Sequence, residues 1–120
     1  MLVSIALTLV ACSATVVNLA EAMDESDLDP TRYRLAEAIT IEAPRTADLK
    51  LRADTQWSHI GTISHGRVFD TKDQVIIVNS FNVYEAAIVV KDGNIVGYYP
   101  KVAKAFVATR PVPLEFVKVE

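Results

Sequence analysis

The stretch that most restricts how this chain can fold is AAIVVKDGNIVGYY, residues 86–99. Asp92 and Gly93 separate two apolar runs, and such an Asp-Gly pair favours a two-residue type I′ turn, in which both residues have positive φ. The turn predicts the cross-strand pairs Lys91/Asn94, Val90/Ile95, Val89/Val96, Ile88/Gly97 and Ala87/Tyr98. Successive pairs lie on opposite faces, so both faces are apolar near the turn. This pattern predicts a hairpin at the centre of a barrel or sandwich.

Other segments also alternate as strands do. Residues 48–53, DLKLRA, alternate apolar and charged side chains, which is typical of a half-buried strand. Residues 57–69, WSHIGTISHGRVF, continue the pattern, and Gly61 and Gly66 predict bulges or bends within it. Together with the hairpin, these segments predict a mainly β fold, a small antiparallel barrel or sandwich of about five to seven strands.

Residues 104–109 predict a further strand near the C-terminus. Pro111 and Pro113 cannot donate to a β-ladder, so the tail is expected to be an extended segment or an edge strand. The β-rich domain is expected to be single and to cover residues 31–120.

Two interpretations fit residues 30–42. Asp29 and Pro30 suit the N-cap and the first position of a short helix. An extended, alternating segment is equally consistent with the apolar residues Leu35, Ile39 and Ile41. Helix and strand therefore both remain open for this segment.

The composition limits both the fold and the class of function. The chain has 120 residues, 51% of them apolar, and few Gly and Pro, which argues for one folded domain. A net charge of −3 argues against nucleic-acid binding, which needs an excess of Lys and Arg to neutralise phosphates. The single cysteine, Cys12, excludes an internal disulfide and a cysteine-rich zinc site. No cofactor-binding motif is present, so no cofactor is expected.

The N-terminal run carries no charged side chain from Met1 to Ala20. About twenty uncharged residues can span a bilayer, although no Lys or Arg lies beside the run to fix an orientation. A secretory signal peptide over residues 1–22, cut after Ala22, is a second interpretation. The third interpretation rests on the residues that precede the cysteine.

Residues 9–12, Leu-Val-Ala-Cys, resemble the lipobox of bacterial lipoproteins. The resemblance implies that residues 1–11 are an apolar signal helix that is removed, and that Cys12 then carries the lipid. It also implies, through Ser13, sorting to the outer membrane. Residues 12–30 would form a short lipid-anchored tether, solvated in its acidic second half. Two or more acyl chains hold such a domain durably at a membrane.

The two histidines are the natural candidates for chemistry. If His59 and His65 lay on one continuous strand, about 20 Å would separate them, too far for one metal ion. A catalytic triad would combine Ser58 or Ser64 with His65 and Asp70, but no G-x-S-x-G motif supports it. We therefore predict no metal site and no catalytic residue.

Aromatic residues are better candidates for a binding surface, because Tyr and Trp are enriched at interfaces. Adjacent Tyr98 and Tyr99 must point to opposite faces of a strand, so one is expected in the core and the other at the surface. The candidate binding residues are Trp57, Tyr84, Tyr98 and Tyr99, with burial in the core as the alternative.

The β segment from Trp57 onward is also loosely similar to small proteobacterial envelope lipoproteins, many of which have no assigned activity. The expected function is that of a lipid-anchored periplasmic or outer-membrane β-domain, a binding or assembly module with an envelope protein as its partner. One alternative is a soluble periplasmic ligand-binding or enzyme-binding protein, similar to an inhibitor and released by signal cleavage. Another is a hydrolase built around His65, but no enzyme activity is expected.

Overall fold

The computed structural model describes residues 18–42, 49–79 and 83–120, which form eleven strands and, within these ranges, no α-helix. The strands are β1 (Asn18–Ala20), β2 (Arg32–Leu35), β3 (Ile39–Ile41), β4 (Leu49–Leu51), β5 (Gln56–Ile63), β6 (Gly66–Thr71), β7 (Ile77–Asn79), β8 (Val83–Lys91), β9 (Asn94–Pro100), β10 (Ala105–Pro113) and β11 (Phe116–Lys118). In this described part, no helix is long and apolar enough to cross a membrane. The mainly β prediction is confirmed, with more strands than expected. The predicted signal helix, Cys12 and Ser13 lie outside the described residues.

Nine of the strands form one antiparallel sheet in the order β1-β10-β9-β8-β6-β5-β2-β11, with β7 also paired to β8, while β3 and β4 form a separate hairpin. Although β10 and β11 lie far apart in this order, only Leu114 and Glu115 separate them in the chain. Leu114 N–H donates to Gly93 O at 3.1 Å, and Ala36 N–H donates to Glu115 O at 3.0 Å. The sheet must therefore curve so that this short link can reach from β9 to β2. Among the described strands, β1 and β11 end the sheet, which is open rather than a closed barrel.

The hairpin of β8 and β9 has the predicted turn, since Asp92 has φ 54° and Gly93 has φ 78°. The pairs Lys91/Asn94 and Val90/Ile95 are confirmed. Beyond them a bulge shifts the register by one residue, and the next pairs are Val89/Gly97, Ile88/Tyr98 and Ala87/Tyr99. The predicted pairs at these positions are wrong because residue 97 lies against β10, where a Cβ would collide with the backbone of Val107. Glycine permits that close approach and the bulge beside it.

The predicted strand over residues 57–69 is a hairpin, with a turn at Ser64 and His65 between β5 and β6. A register shift between His59 and Gly61 confirms the predicted bulge. Because of the turn and the bulge, the two histidines do not lie on one continuous strand.

Both faces of the sheet are packed, as the apolar hairpin predicted. One face, the first core, contains Leu35, Ile41, Leu51, Trp57, Phe69, Ile76, Ala86, Ile88, Ile95, Tyr98 and Val107. The other face, the second core, contains Ile63, Val68, Ala87, Val89, Tyr99 and Phe106. The β3–β4 hairpin contributes Ile41 and Leu51 to the first core.

The extended interpretation of residues 30–42 is correct, since the segment contains β2 and β3. Asp29 caps no helix there. Its Oδ1 accepts the Thr31 N–H at 2.9 Å, which turns the chain into β2. The tail is also extended. Pro111 and Pro113 lie in β10, which pairs with β9, and β11 after them ends the sheet as an edge strand.

Residues 18–24, here called the N-terminal strap, are part of the fold, although the sequence suggested a tether over residues 12–30. The backbone of β1 pairs with β10. Asp24 and Thr62 exchange two backbone hydrogen bonds of 2.8 and 2.9 Å. Met23 packs on the second core over Gly61, where a Cβ would collide with it. The tether prediction is therefore wrong for the N-terminal strap. Residues 24–28 of the acidic half are exposed as expected, whereas Asp29 is partly buried and bonded to Tyr33 and Arg67.

Candidate functional site

A pocket of about 480 Å³ opens at the end of the sheet where the β5–β6 and β8–β9 turns lie, and we call it the turn-end pocket. Its volume lies in the range of small-molecule sites. The residues that give it chemical character are Tyr33, Thr62, Arg67, Phe69, Lys91 and Phe116. The lining also includes the Ser64 hydroxyl and the Asp92 carboxylate, so the pocket combines an aromatic wall with hydroxyl groups, two cationic residues and one anionic residue.

Three strands supply the aromatic wall. Tyr33 of β2 stacks on Phe116 of β11, with ring centroids 5.4 Å apart and an interplanar angle of 20°. Phe69 of β6 meets the Phe116 ring edge-on at 5.0 Å. Such contacts add to the energy of burial and restrict each ring. The wall exists because the short link after β10 carries Phe116 across to β2.

Asp29 lies beside the wall and binds both Tyr33 of the wall and the neighbouring Arg67. Its Oδ2 accepts the Tyr33 hydroxyl at 2.6 Å and the Arg67 Nη2–H at 2.8 Å. The Tyr33 hydroxyl is the largest cause that holds the pKa of Asp29 well below its ordinary 3.8, followed by the Thr31 N–H and Arg67. Asp29 is therefore ionised at any pH near neutrality.

Arg67 is held in place from two sides. Besides the contact with Asp29, its guanidinium carbon lies 5.2 Å from the centre of the Phe69 ring, a cation–π distance. The side chain is still 45% exposed, so part of the guanidinium faces the pocket and solvent. A guanidinium fixed in this way can receive a ligand with little loss of side-chain entropy.

His59 lies behind this group and is only 6% exposed. Its Nδ1 accepts the backbone N–H of Asp29 at 2.8 Å. The ring proton is therefore assigned to Nε2, which lies 3.2 Å from Thr62 Oγ1 and donates to it. Burial is the main cause that lowers the pKa of His59 below its ordinary 6.5, and the charge of Arg67 adds to this. The imidazole is neutral in this arrangement.

We predict that Asp29→Asn lowers the melting temperature by a few degrees, whereas Asp27→Asn leaves it unchanged. The amide oxygen can still accept the Thr31 N–H, but the charge that binds Arg67 is lost. Asp27 is exposed and serves as the matched control. Thermal unfolding followed by circular dichroism at pH 7 measures both variants. Equal melting temperatures would contradict a stabilising role for the Asp29 charge.

The residues considered for a triad do not form one. Ser64 donates its hydroxyl proton to Glu21 Oε1 at 2.6 Å, and its N–H donates to the same oxygen at 2.8 Å. His65 Nδ1 lies 3.3 Å from both Ser64 Oγ and Glu21 Oε1. A catalytic relay needs opposite nitrogens of the imidazole for the serine and the acid. Here a single nitrogen faces both groups.

This arrangement instead attaches the N-terminal strap to the β5–β6 turn. The hydrogen bonds from Ser64 are the largest causes that lower the pKa of Glu21. His65 stacks on Phe106 of β10, with ring centroids 3.9 Å apart. Asp70 lies elsewhere on β6, where it accepts a hydrogen bond of 2.9 Å from Lys101 Nζ. The described residues contain no group of three His, Cys, Asp or Glu side chains that could hold a metal ion.

Three of the four aromatic residues considered for a binding surface, Trp57, Tyr98 and Tyr99, are core residues, which was the alternative. Trp57 is fully buried, and its Nε1–H donates to Thr55 Oγ1 at 2.9 Å. Tyr98 and Tyr99 do point to opposite faces, but they are only 7% and 2% exposed because both faces are covered. Burial alone raises the pKa of Tyr98 well above its ordinary value. The side chain of Tyr84 lies outside the described part of the chain.

Sequence reasoning missed the residues of the turn-end pocket. Tyr33 lay in the segment left open between helix and strand, and Phe116 follows the prolines of the tail. Arg67 and Phe69 share one face of β6 because they are two residues apart. Such a spacing occurs in every strand and does not indicate a site. No local signal joins these four residues, since the sheet order alone brings them together.

The chain matches no protein-family model, and comparisons with curated proteins and with solved structures returned no match.

Proposed function

We propose that the chain is a binding module of the bacterial cell envelope, attached to the outer membrane by a lipid at Cys12, and that it binds its partner at the turn-end pocket. The observation that carries this proposal is the aromatic wall with the fixed guanidinium of Arg67 beside it. The few residues that dominate the binding energy of protein interfaces are enriched in Tyr, Trp and Arg. Their mutual contacts prepare the site before a partner arrives, which reduces the entropy lost on binding.

The N-terminal strap supports attachment at Cys12 over release after Ala22. Cleavage after Ala22 would remove β1, which pairs with β10. It would also remove Glu21, whose carbonyl accepts the Tyr99 hydroxyl at 2.9 Å. Cleavage before Cys12 would keep all these contacts. Six peptide steps from Cys12 to Asn18 reach at most about 20 Å, so the domain would lie close to the membrane.

Lipid attachment can be tested by labelling the full chain in a bacterium with radioactive palmitate. The wild-type chain should be labelled and should remain with the outer membrane, whereas Cys12→Ala should lose the label. Ser13→Ala is the matched control and should keep the label. Equal labelling of the wild type and Cys12→Ala would contradict the lipid anchor.

Binding at the pocket can be tested with a photo-crosslinking amino acid placed at one position of the full chain in living cells. Asp92 lies at the rim of the pocket, whereas Lys72 is an exposed residue at the opposite end of β6. A specific adduct is expected at position 92 and not at position 72. Adding Arg67→Ala to the first variant should reduce the adduct several-fold. The same adducts at both positions would contradict a role for the pocket.

A further inference from the structure

We propose that protonation of His59 releases the contacts that hold Arg67 and Tyr33 at the wall of the turn-end pocket, so that the pocket is formed near neutral pH and relaxes in acid. The regulatory meaning of this switch rests on the binding function proposed above. The switch itself rests on the hydrogen bonds around Asp29, which connect the buried imidazole to the pocket wall.

The contact between His59 and Asp29 tolerates only a neutral ring. Nδ1 must carry a lone pair in order to accept the Asp29 N–H at 2.8 Å. A protonated imidazole carries a hydrogen on both nitrogens, which would place two donors against each other. The contact between Nε2 and Thr62 survives, because Nε2 already donates. Protonation therefore breaks specifically the bond to the backbone of Asp29.

The carboxylate of Asp29 transmits this change to the pocket. Three charged groups face the imidazole, namely Asp27 and Asp29 from the segment before β2 and Arg67 from β6. An imidazolium attracts the Asp29 carboxylate and repels the Arg67 guanidinium. As Asp29 turns towards the new Nδ1–H donor, it leaves Tyr33 and Arg67, which its Oδ2 holds in the neutral state. The proton comes from solvent, and no other reactant is needed.

The sign of the pH effect follows from the direction of the shift. The pKa of His59 lies below 6.5 in the folded protein, mainly because of burial, so the unfolded chain binds more protons just below pH 6.5. The stability associated with neutral His59 is thus complete above pH 6.5 and falls as the pH drops through the window down to the folded pKa. Asp29 stays ionised in that window, because its own pKa is far lower.

The test is a pH titration of the isotope-labelled full chain by NMR, from pH 8 to pH 5, without any ligand. The ring nitrogens of His59, the Asp29 amide and the Nε of Arg67 should shift together with one midpoint below 6.5. In His59→Gln the signals of Asp29 and Arg67 should not titrate, since the Gln oxygen can accept the Asp29 N–H at every pH. His65→Gln is the matched control, in which the shared titration should persist.

Two results would overturn the switch. The first is a titration of His59 during which the signals of Asp29 and Arg67 stay fixed. The second is a His59 ring that stays neutral throughout the titration, down to pH 5. If His59→Gln does not fold, the shared midpoint in the wild type still decides the question. The NMR titration uses no ligand, so its result does not depend on the binding function. A failed crosslinking experiment at position 92 would contradict the proposed binding site without contradicting the pH switch.

Discussion

Replacing Trp57 by alanine should lower the free energy of unfolding by about 3–5 kcal/mol, as large-to-small changes in closely packed cores do. Trp57 is fully buried in the first core, its ring lies 6.3 Å from that of Phe116, and its indole N–H is satisfied by Thr55. The main effect of the substitution should therefore be a loss of stability, and the shape of the pocket beside Phe116 should change as a consequence. Urea unfolding should be followed by circular dichroism. Trp57 is the only tryptophan, so the variant has no tryptophan fluorescence to follow.

Val102→Ala is the matched control for a truncated apolar side chain. Val102 is 87% exposed, so its loss should change the stability by less than about 0.5 kcal/mol. A Trp57→Ala variant that unfolds like the wild type but fails to bind a partner would contradict this assignment. That result would instead support the prediction from the sequence that Trp57 belongs to a binding surface.

A chain that begins at Met23 should be less stable than one that begins at Ser13 by about 2–4 kcal/mol. The shorter chain loses several hydrogen bonds worth about 1 kcal/mol each, among them the β1–β10 pairs and the bond from the Tyr99 hydroxyl to Glu21 O. The melting temperature should fall by roughly 10–20 °C.

Tyr99→Phe in the longer chain isolates one of these hydrogen bonds. It should cost about 0.5–1.5 kcal/mol, because it removes the hydroxyl and leaves the ring in the second core. If the chain that begins at Met23 is as stable as the longer one, the N-terminal strap adds nothing to the fold. Release after Ala22 would then be compatible with a stable domain.

The hairpin around Asp92 and Gly93 shows how much of the strand register can be predicted from local sequence. The positive φ of both residues follows from the residue types, since Gly has no Cβ and Asp tolerates this conformation, and the two pairs next to the turn follow from its geometry. The bulge beside Gly97 does not follow, because it depends on how closely β10 approaches. The register was therefore predictable for two pairs and wrong from the third onward.

Bulges also explain why the faces of individual residues were difficult to predict. Strict alternation along residues 57–69 places His59 and His65 on one face of one strand. The bulge before Gly61 and the turn at Ser64 place them apart. His59 contacts the backbone of Asp29, whereas His65 lies beside Ser64, where the N-terminal strap is attached. One extra residue in a strand moves every later side chain to the other face, and no pattern of period two contains that information.

The sequence by itself determined the antiparallel β class, the central hairpin and its turn, because these depend on local backbone preferences and on alternation within a few residues. Only the tertiary structure decided which aromatic residues are core and which line a pocket. Trp57 became core because both faces of the sheet are covered. Tyr33 and Phe116 line a pocket beside the core residue Phe69, because a two-residue link joins distant strands of a curved sheet. Such contacts depend on the order of strands in space, which short-range preferences do not encode.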